Sequence, residues 1–256
     1  MRGIRITPEA DRVLLVAQTR KGKTTLSQFI VAGLQPVRTI TFDVKDELEL
    51  GAPILRSPAE LAAGMHAPVV HYVPPGFDRA SLEEACEIVW VTPGPYVWWI
   101  TEAAQITNAN YCPEGLRLGC TQGAGKQKLV IAETQRIAEC NPVLRAGADH
   151  VIVFVPAPIE LDLKTLAGVV RREHTVLKHE LDELQAQHGI YSHLWYVLED
   201  DELRRCAPLP LTPGRPPGGR EPLAGGGEEP PGGREAATQP EDQAPQSPAC
   251  ERSDSP

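Results

Sequence analysis

The sequence predicts an α/β fold, a mostly parallel sheet with helices on both faces, followed by a disordered C-terminal tail. Three observations predict it. Short apolar runs alternate with helical patterns from Arg12 to Leu198, the order produced by strand, crossover and strand units. The runs Tyr96 to Ile100, Leu129 to Ala132 and Val151 to Val155 are apolar at nearly every position, which suits strands buried on both sheet faces rather than half-exposed ones. Composition then changes at Pro208: the last 49 of 256 residues hold 12 of the 25 prolines and 8 of the 22 glycines, and no aromatic residue. Such a segment buries too little apolar surface to offset its ordering entropy. The fold is therefore expected in residues 1–207 and a disordered tail in residues 208–256.

Taken in order, Arg12 to Val16 reads as the first strand, leading through a polar turn into a helix from Lys23. Thr39 to Phe42 reads as the second, followed by the charged segment Asp43 to Glu47. Ser57-Pro58-Ala59-Glu60 combines an N-cap serine, a proline at the first helical position and a glutamate placed to close a capping box, so a short helix follows. Val69 to Val73 is the third strand. Ser81-Leu82-Glu83-Glu84 reads as another capping box, opening a helix to about Trp90. After the three apolar runs, Leu161 to Val170 and His174 to Gln187 read as helices, the second amphipathic through Leu177, Leu181 and Leu184. Leu194 to Leu198 supplies the last strand.

Composition excludes several classes. The formal net charge is −9, which argues against a passive nucleic-acid coat, since such binding rests on many Lys and Arg neutralising phosphates. No uninterrupted apolar run approaches the ~18 residues of a membrane span, and no signal-peptide pattern opens the chain, so a soluble intracellular protein is expected. The six cysteines show no CxxC pairing and are expected to be reduced thiols.

The most informative stretch is Val13 to Thr25, a buried-type strand, a turn and then Gly22-Lys23-Thr24 opening a helix. That is the context of a phosphate loop, in which turn amides and a helix N-terminus surround a phosphate with partial positive charge. Gln18, Thr19, Arg20, Lys21, Gly22, Lys23, Thr24 and Thr25 are the expected nucleotide contacts. Lys23 would reach the β and γ phosphates, and the Thr24 hydroxyl would ligate Mg²⁺. The first glycine of the G-x-x-x-x-G-K-[ST] pattern is Ala17 here, a strain if the turn needs positive φ at that point.

Such a loop needs a partner strand bearing acidic groups. Glu102 follows the run Tyr96 to Ile100, at the carboxyl end where ligands bind in open α/β sheets, and is expected to orient a water for attack on a γ-phosphate. ATP hydrolysis is the reaction implied. The usual Asp-Glu pair is Thr101-Glu102 here, so Mg²⁺ would rest chiefly on Thr24, phosphates and waters, with Asp43 or Glu102 nearby. The next strand runs into Glu133-Thr134-Gln135-Arg136, which places Gln135 as a polar group against the γ-phosphate or the water.

In this order, the phosphate loop, Asp43-x-Lys45-x-Glu47, a strand ending in Glu102, Thr134-Gln135-Arg136 and Ala148-Asp149-His150 to Phe154 resemble the FtsK/HerA superfamily of P-loop ATPases. Within it the chain looks most like the small genome-packaging ATPases of tailless, membrane-containing icosahedral phages. The resemblance spans roughly Arg12 to Leu203. It implies a RecA-like fold, ATP and Mg²⁺ as cofactors, and a homo-oligomeric ring of five or six subunits moving double-stranded DNA. It also implies a trans-acting arginine, for which Arg145 is chosen over Arg136 and Arg117. Localisation to the host cytoplasm, association with the virion and a capsid vertex or membrane protein as docking partner belong to the same implication.

A translocating ring needs only transient phosphate contacts, so an acidic subunit is compatible with DNA if basic groups line the pore. The Gly123 to Lys128 turn is expected to be a flexible tip offering Lys126 and Lys128 to DNA. Two other readings stand beside packaging. One is a superfamily relative serving conjugation, filamentous-phage export or plasmid maintenance. The other, suggested by Ala17 and Thr101, is a nucleotide-binding P-loop protein that is not a motor.

Overall fold

The computed structural model describes residues 6–7, 11–34, 37–209 and 250–252, the last three as backbone only. The strands are β1 (Arg12–Val16), β2 (Arg38–Phe42), β3 (Ile54–Leu55), β4 (Val69–Tyr72), β5 (Tyr96–Ile100), β6 (Lys128–Thr134), β7 (His150–Phe154), β8 (His193–Val197), β9 (Glu202–Cys206) and β10 (Cys250–Arg252). The helices are α1 (Lys23–Gly33), α2 (Pro58–Gly64), α3 (Arg79–Val91), α4 (Ala103–Ile106), α5 (Glu114–Gln122), α6 (Pro142–Ala146), α7 (Glu160–Val169) and α8 (His174–His188).

All ten strands form one sheet in the order β10-β9-β8-β7-β1-β6-β5-β2-β4-β3. The pairings from β7 to β3 are all parallel, and β8, β9 and β10 extend the sheet antiparallel beyond β7. The mostly parallel α/β fold expected from the sequence is thus present. The central strands β5, β6 and β7 are buried at every position, as apolar runs without alternation require. Alternate residues of each strand feed opposite layers. One layer joins Val13, Leu15, Trp99 and Ile131 to Leu26 and Ile30 of α1. The other joins Leu14, Trp98, Val130 and Val151 to α2 through α8. Helices cover both faces, though α1 is the only described helix in the first layer.

Three local expectations change. The helix after Pro74 starts at Arg79 rather than Ser81, because the Asp78 carboxylate accepts from the Ser81 amide at 2.9 Å and makes Asp78 the N-cap. Cys206 is disulfide-bonded, against the expectation of six reduced thiols, while Cys86, Cys112, Cys120 and Cys140 are free. Of the tail expected to be disordered, residues 210–249 and 253–256 lie outside the described residues, whereas Cys250–Arg252 pairs with β9, with Cys250 opposite Cys206. Among the described residues no helix is long and apolar enough to cross a membrane.

Candidate functional site

The carboxyl ends of four neighbouring parallel strands, β1, β6, β5 and β2, meet at one edge of the sheet, where open α/β sheets bind ligands. The register sets what each contributes. Val16 is opposite Thr134 and Ile100 is opposite Ala132, so the Ala17–Gly22 loop, Gln135 and Glu102 leave the sheet beside one another. Phe42 is opposite Ile100, which brings Asp43 and Lys45 to the same edge.

The loop after β1 turns through two left-handed residues, Arg20 with φ 60° and Gly22 with φ 93°. Ala17 is not among the positive-φ residues; it is buried in the α1 layer and its amide donates to the Thr134 carbonyl at 3.1 Å. Alanine in place of the first glycine therefore costs no backbone strain there. Gly22 is required, because its φ favours glycine and a Cβ would lie 3.3 Å from Phe154 Cε1. Gln18, Thr19 and Arg20 are exposed, and Lys21, Thr24 and Thr25 are half-buried. Lys23 is 8% exposed, and its ammonium donates to the carbonyls of Ala17 at 2.8 Å and Gln18 at 3.4 Å. Burial lowers its pKa, while Glu133 and Glu102 act in the opposite direction.

Glu102 is buried, and each carboxylate oxygen accepts from Gln135: Oε1 from the backbone amide and Oε2 from Nε2, both at 3.0 Å. Lys45 Nζ pairs with Oε2 at 3.3 Å. Gln135 Oε1 in turn accepts from the Thr19 hydroxyl at 2.8 Å. A continuous polar chain thus runs Thr19, Gln135, Glu102, Lys45, one residue from the segment after each of the four strands, none more than three residues past its strand end. Two Gln135 N–H groups aimed at one carboxylate fix its orientation, and Lys45 sets a positive charge beside it.

Sequence reasoning missed a second carboxylate. Glu133 is 1% exposed, accepts from the Thr24 hydroxyl at 3.2 Å through Oε2 and from Trp99 Nε1 at 2.7 Å through Oε1. Burial pushes its pKa up to about 7 against these stabilising contacts. The signal was alternation, since Leu129, Ile131 and Glu133 share the α1 side of β6. Thr101 is buried, its hydroxyl accepting from the Val44 amide at 3.0 Å. Asp43 accepts from the Leu48 amide at 2.8 Å and faces His71 Nε2 at 3.2 Å, contacts that hold it in the turn after β2. No group of three or more His, Cys, Asp or Glu among the described residues could hold a metal by itself. One hydroxyl beside a carboxylate nevertheless suits Mg²⁺, which keeps most of its shell as water and phosphate oxygen.

Other expected residues lie elsewhere. Lys128 opens β6, at the strand end opposite the loop, and is 5% exposed, its ammonium donating to the Trp90 carbonyl and lying 4.5 Å from the Trp90 ring. It is therefore no part of a flexible tip. Lys126, in a short 3₁₀ turn, is exposed, with its ammonium 4.1 Å from the same ring. Arg136 is bound to Asp162 at 2.9 Å and Arg117 to Glu114 on its own helix. Arg145 has no ion pair among the described residues and lines a cavity of about 340 Å³ with Arg171, Thr165 and Leu198. Ala148 and Leu198 place that cavity at the sheet edge opposite the loop.

No family model matches the chain, and no curated protein matches it in sequence. Solved structures do. The genome packaging NTPase B204 of Sulfolobus turreted icosahedral virus 2, in complex with AMPPCP, is similar with TM-score 0.65 and 18% identity, covering 80% of this chain and 100% of that one. Its sulfate complex gives 0.63 and 19%, covering 79% and 98%. B204, the DNA-packaging ATPase of Sulfolobus turreted icosahedral virus, gives 0.62 and 15%, covering 80% and 100%. In its fold, the chain is therefore similar to the viral genome-packaging NTPases, the kind of protein that the order of its motifs resembles.

Proposed function

We propose that the chain is an ATP-hydrolysing translocase of double-stranded DNA that packages a viral genome into a preformed capsid. The observation that carries this reading is the chain from Thr19 through Gln135 and Glu102 to Lys45. It joins the loop that would hold the γ-phosphate to a buried carboxylate that would act as general base on a water. Lys23 and Thr24 are the proposed phosphate and Mg²⁺ contacts. Arg145, half-buried and without an ion pair among the described residues, is the proposed trans-acting arginine in a ring of five or six copies. Of the two lysines, exposed Lys126 is the one proposed for DNA. Residues 1–207 form the proposed motor, and residues 208–256 a docking arm toward a capsid or membrane protein.

The test is steady-state ATP hydrolysis with and without double-stranded DNA, alongside native mass. A ring whose hydrolysis rises several-fold with DNA is expected. A monomer that hydrolyses ATP at the same rate with or without DNA overturns the motor and leaves a nucleotide-binding protein.

A further inference from the structure

We propose that Glu133 is the positioning carboxylate of the metal site, taking from the neighbouring strand the place left by Thr101. This rests on the nucleotide-hydrolysis reading above and deepens it. Ile100 and Ala132 are in register, so Thr101 and Glu133 stand side by side at the ends of β5 and β6. Thr101 offers no charge, and its hydroxyl serves the Val44 amide. Glu133 is one strand nearer the phosphate loop, paired in register with Leu15 of β1. The Thr24 hydroxyl donates its proton to Glu133 Oε2 at 3.2 Å, which leaves the hydroxyl lone pairs free for a cation. Trp99 Nε1 holds the other oxygen at 2.7 Å and so sets the carboxylate plane. A buried carboxylate with both oxygens engaged and one on the expected metal-binding hydroxyl is the arrangement by which outer groups orient a ligand and raise its basicity. Glu102 remains committed to Gln135 and Lys45, so the two carboxylates divide the tasks that an adjacent Asp-Glu pair usually shares.

The test uses the full chain and Mn²⁺ titrated into its complex with a non-hydrolysable ATP analogue, followed by electron paramagnetic resonance. Glu133→Gln should weaken Mn²⁺ binding by about tenfold or more, the usual cost of losing such an outer contact. Affinity for the analogue in EDTA should stay unchanged. Trp99→Phe, which keeps the carboxylate and frees its orientation, should give a smaller loss, and it carries the test if Glu133→Gln does not fold. Adding Thr101→Asp to Glu133→Gln should restore Mn²⁺ affinity, which a merely structural Glu133 would not allow. Wild-type Mn²⁺ affinity in Glu133→Gln, or no recovery in the double variant, overturns the proposal. A wild-type chain that binds no nucleotide overturns the functional reading instead.

Discussion

Glu102 is held by three donors, so replacing its charge while keeping its shape isolates its chemistry. Glu102→Gln is expected to bind ATP normally and to lose about a hundredfold or more in single-turnover hydrolysis, the usual range for a general base; unchanged turnover would remove the residue from the reaction. His193 tests a different property. It is 1% exposed, its ring lies against that of Phe154, and burial lowers its pKa to about 4, a backbone contact at Tyr191 acting the other way. The unfolded chain takes up this proton near pH 6.5, whereas the folded chain resists until about 4, so stability falls as pH drops through that window. The loss should approach about 3 kcal/mol at its lower end. His193→Phe should flatten the pH dependence of the urea midpoint between pH 6.5 and 4, and an unaltered slope would contradict the assignment.

Among the elements, α2 shows how local chemistry sets a boundary. Ser57 accepts from the Glu60 amide at 3.2 Å and Pro58 occupies the first turn, while Glu60 reaches back to the Arg56 amide at 2.6 Å. Ser57→Ala should cost about 1 kcal/mol in urea unfolding; no change would mean that the cap does not contribute. The strands β1, β5 and β7 were legible because their residues are apolar at almost every position, and α2 because its cap is spelled out in four residues. The helix α5 was not. Its Gly115 and Gly119 read as loop by propensity, yet a Cβ on Gly115 would lie 2.2 Å from the Cys86 carbonyl, so the glycine is there to let α3 and α5 approach. The strand β9 was hidden by its charges, of which Arg205 is neutralised by Glu180 and Glu183 of α8 at 2.7 and 2.6 Å. In the site, Glu102 and Gln135 were readable because a polar group after an apolar strand stands out. Glu133 was hidden because it falls inside the strand: alternation puts it on the α1 side, and the register with β1 brings it beside Thr24 in the first turn of α1.

At the scale of the whole molecule, the four strand ends that build the site lie in the middle of the sheet, four pairings from β10 at β1 and seven at β2. Removing residues 208–256 takes away β10 but no residue of the site. The truncated chain is expected to retain ATP hydrolysis and to lose assembly onto its docking partner; lost hydrolysis would place part of the tail in the motor. The sheet order also sets a schedule. β1 is the first strand made, yet its two neighbours are β6 and β7, which end at Thr134 and Phe154. At roughly 5–20 residues per second of synthesis, the apolar Arg12–Val16 segment waits on the order of ten seconds for either partner. Long-range pairing of this kind is slow to form, and the nascent chain has no seated phosphate loop until β6 or β7 has been made.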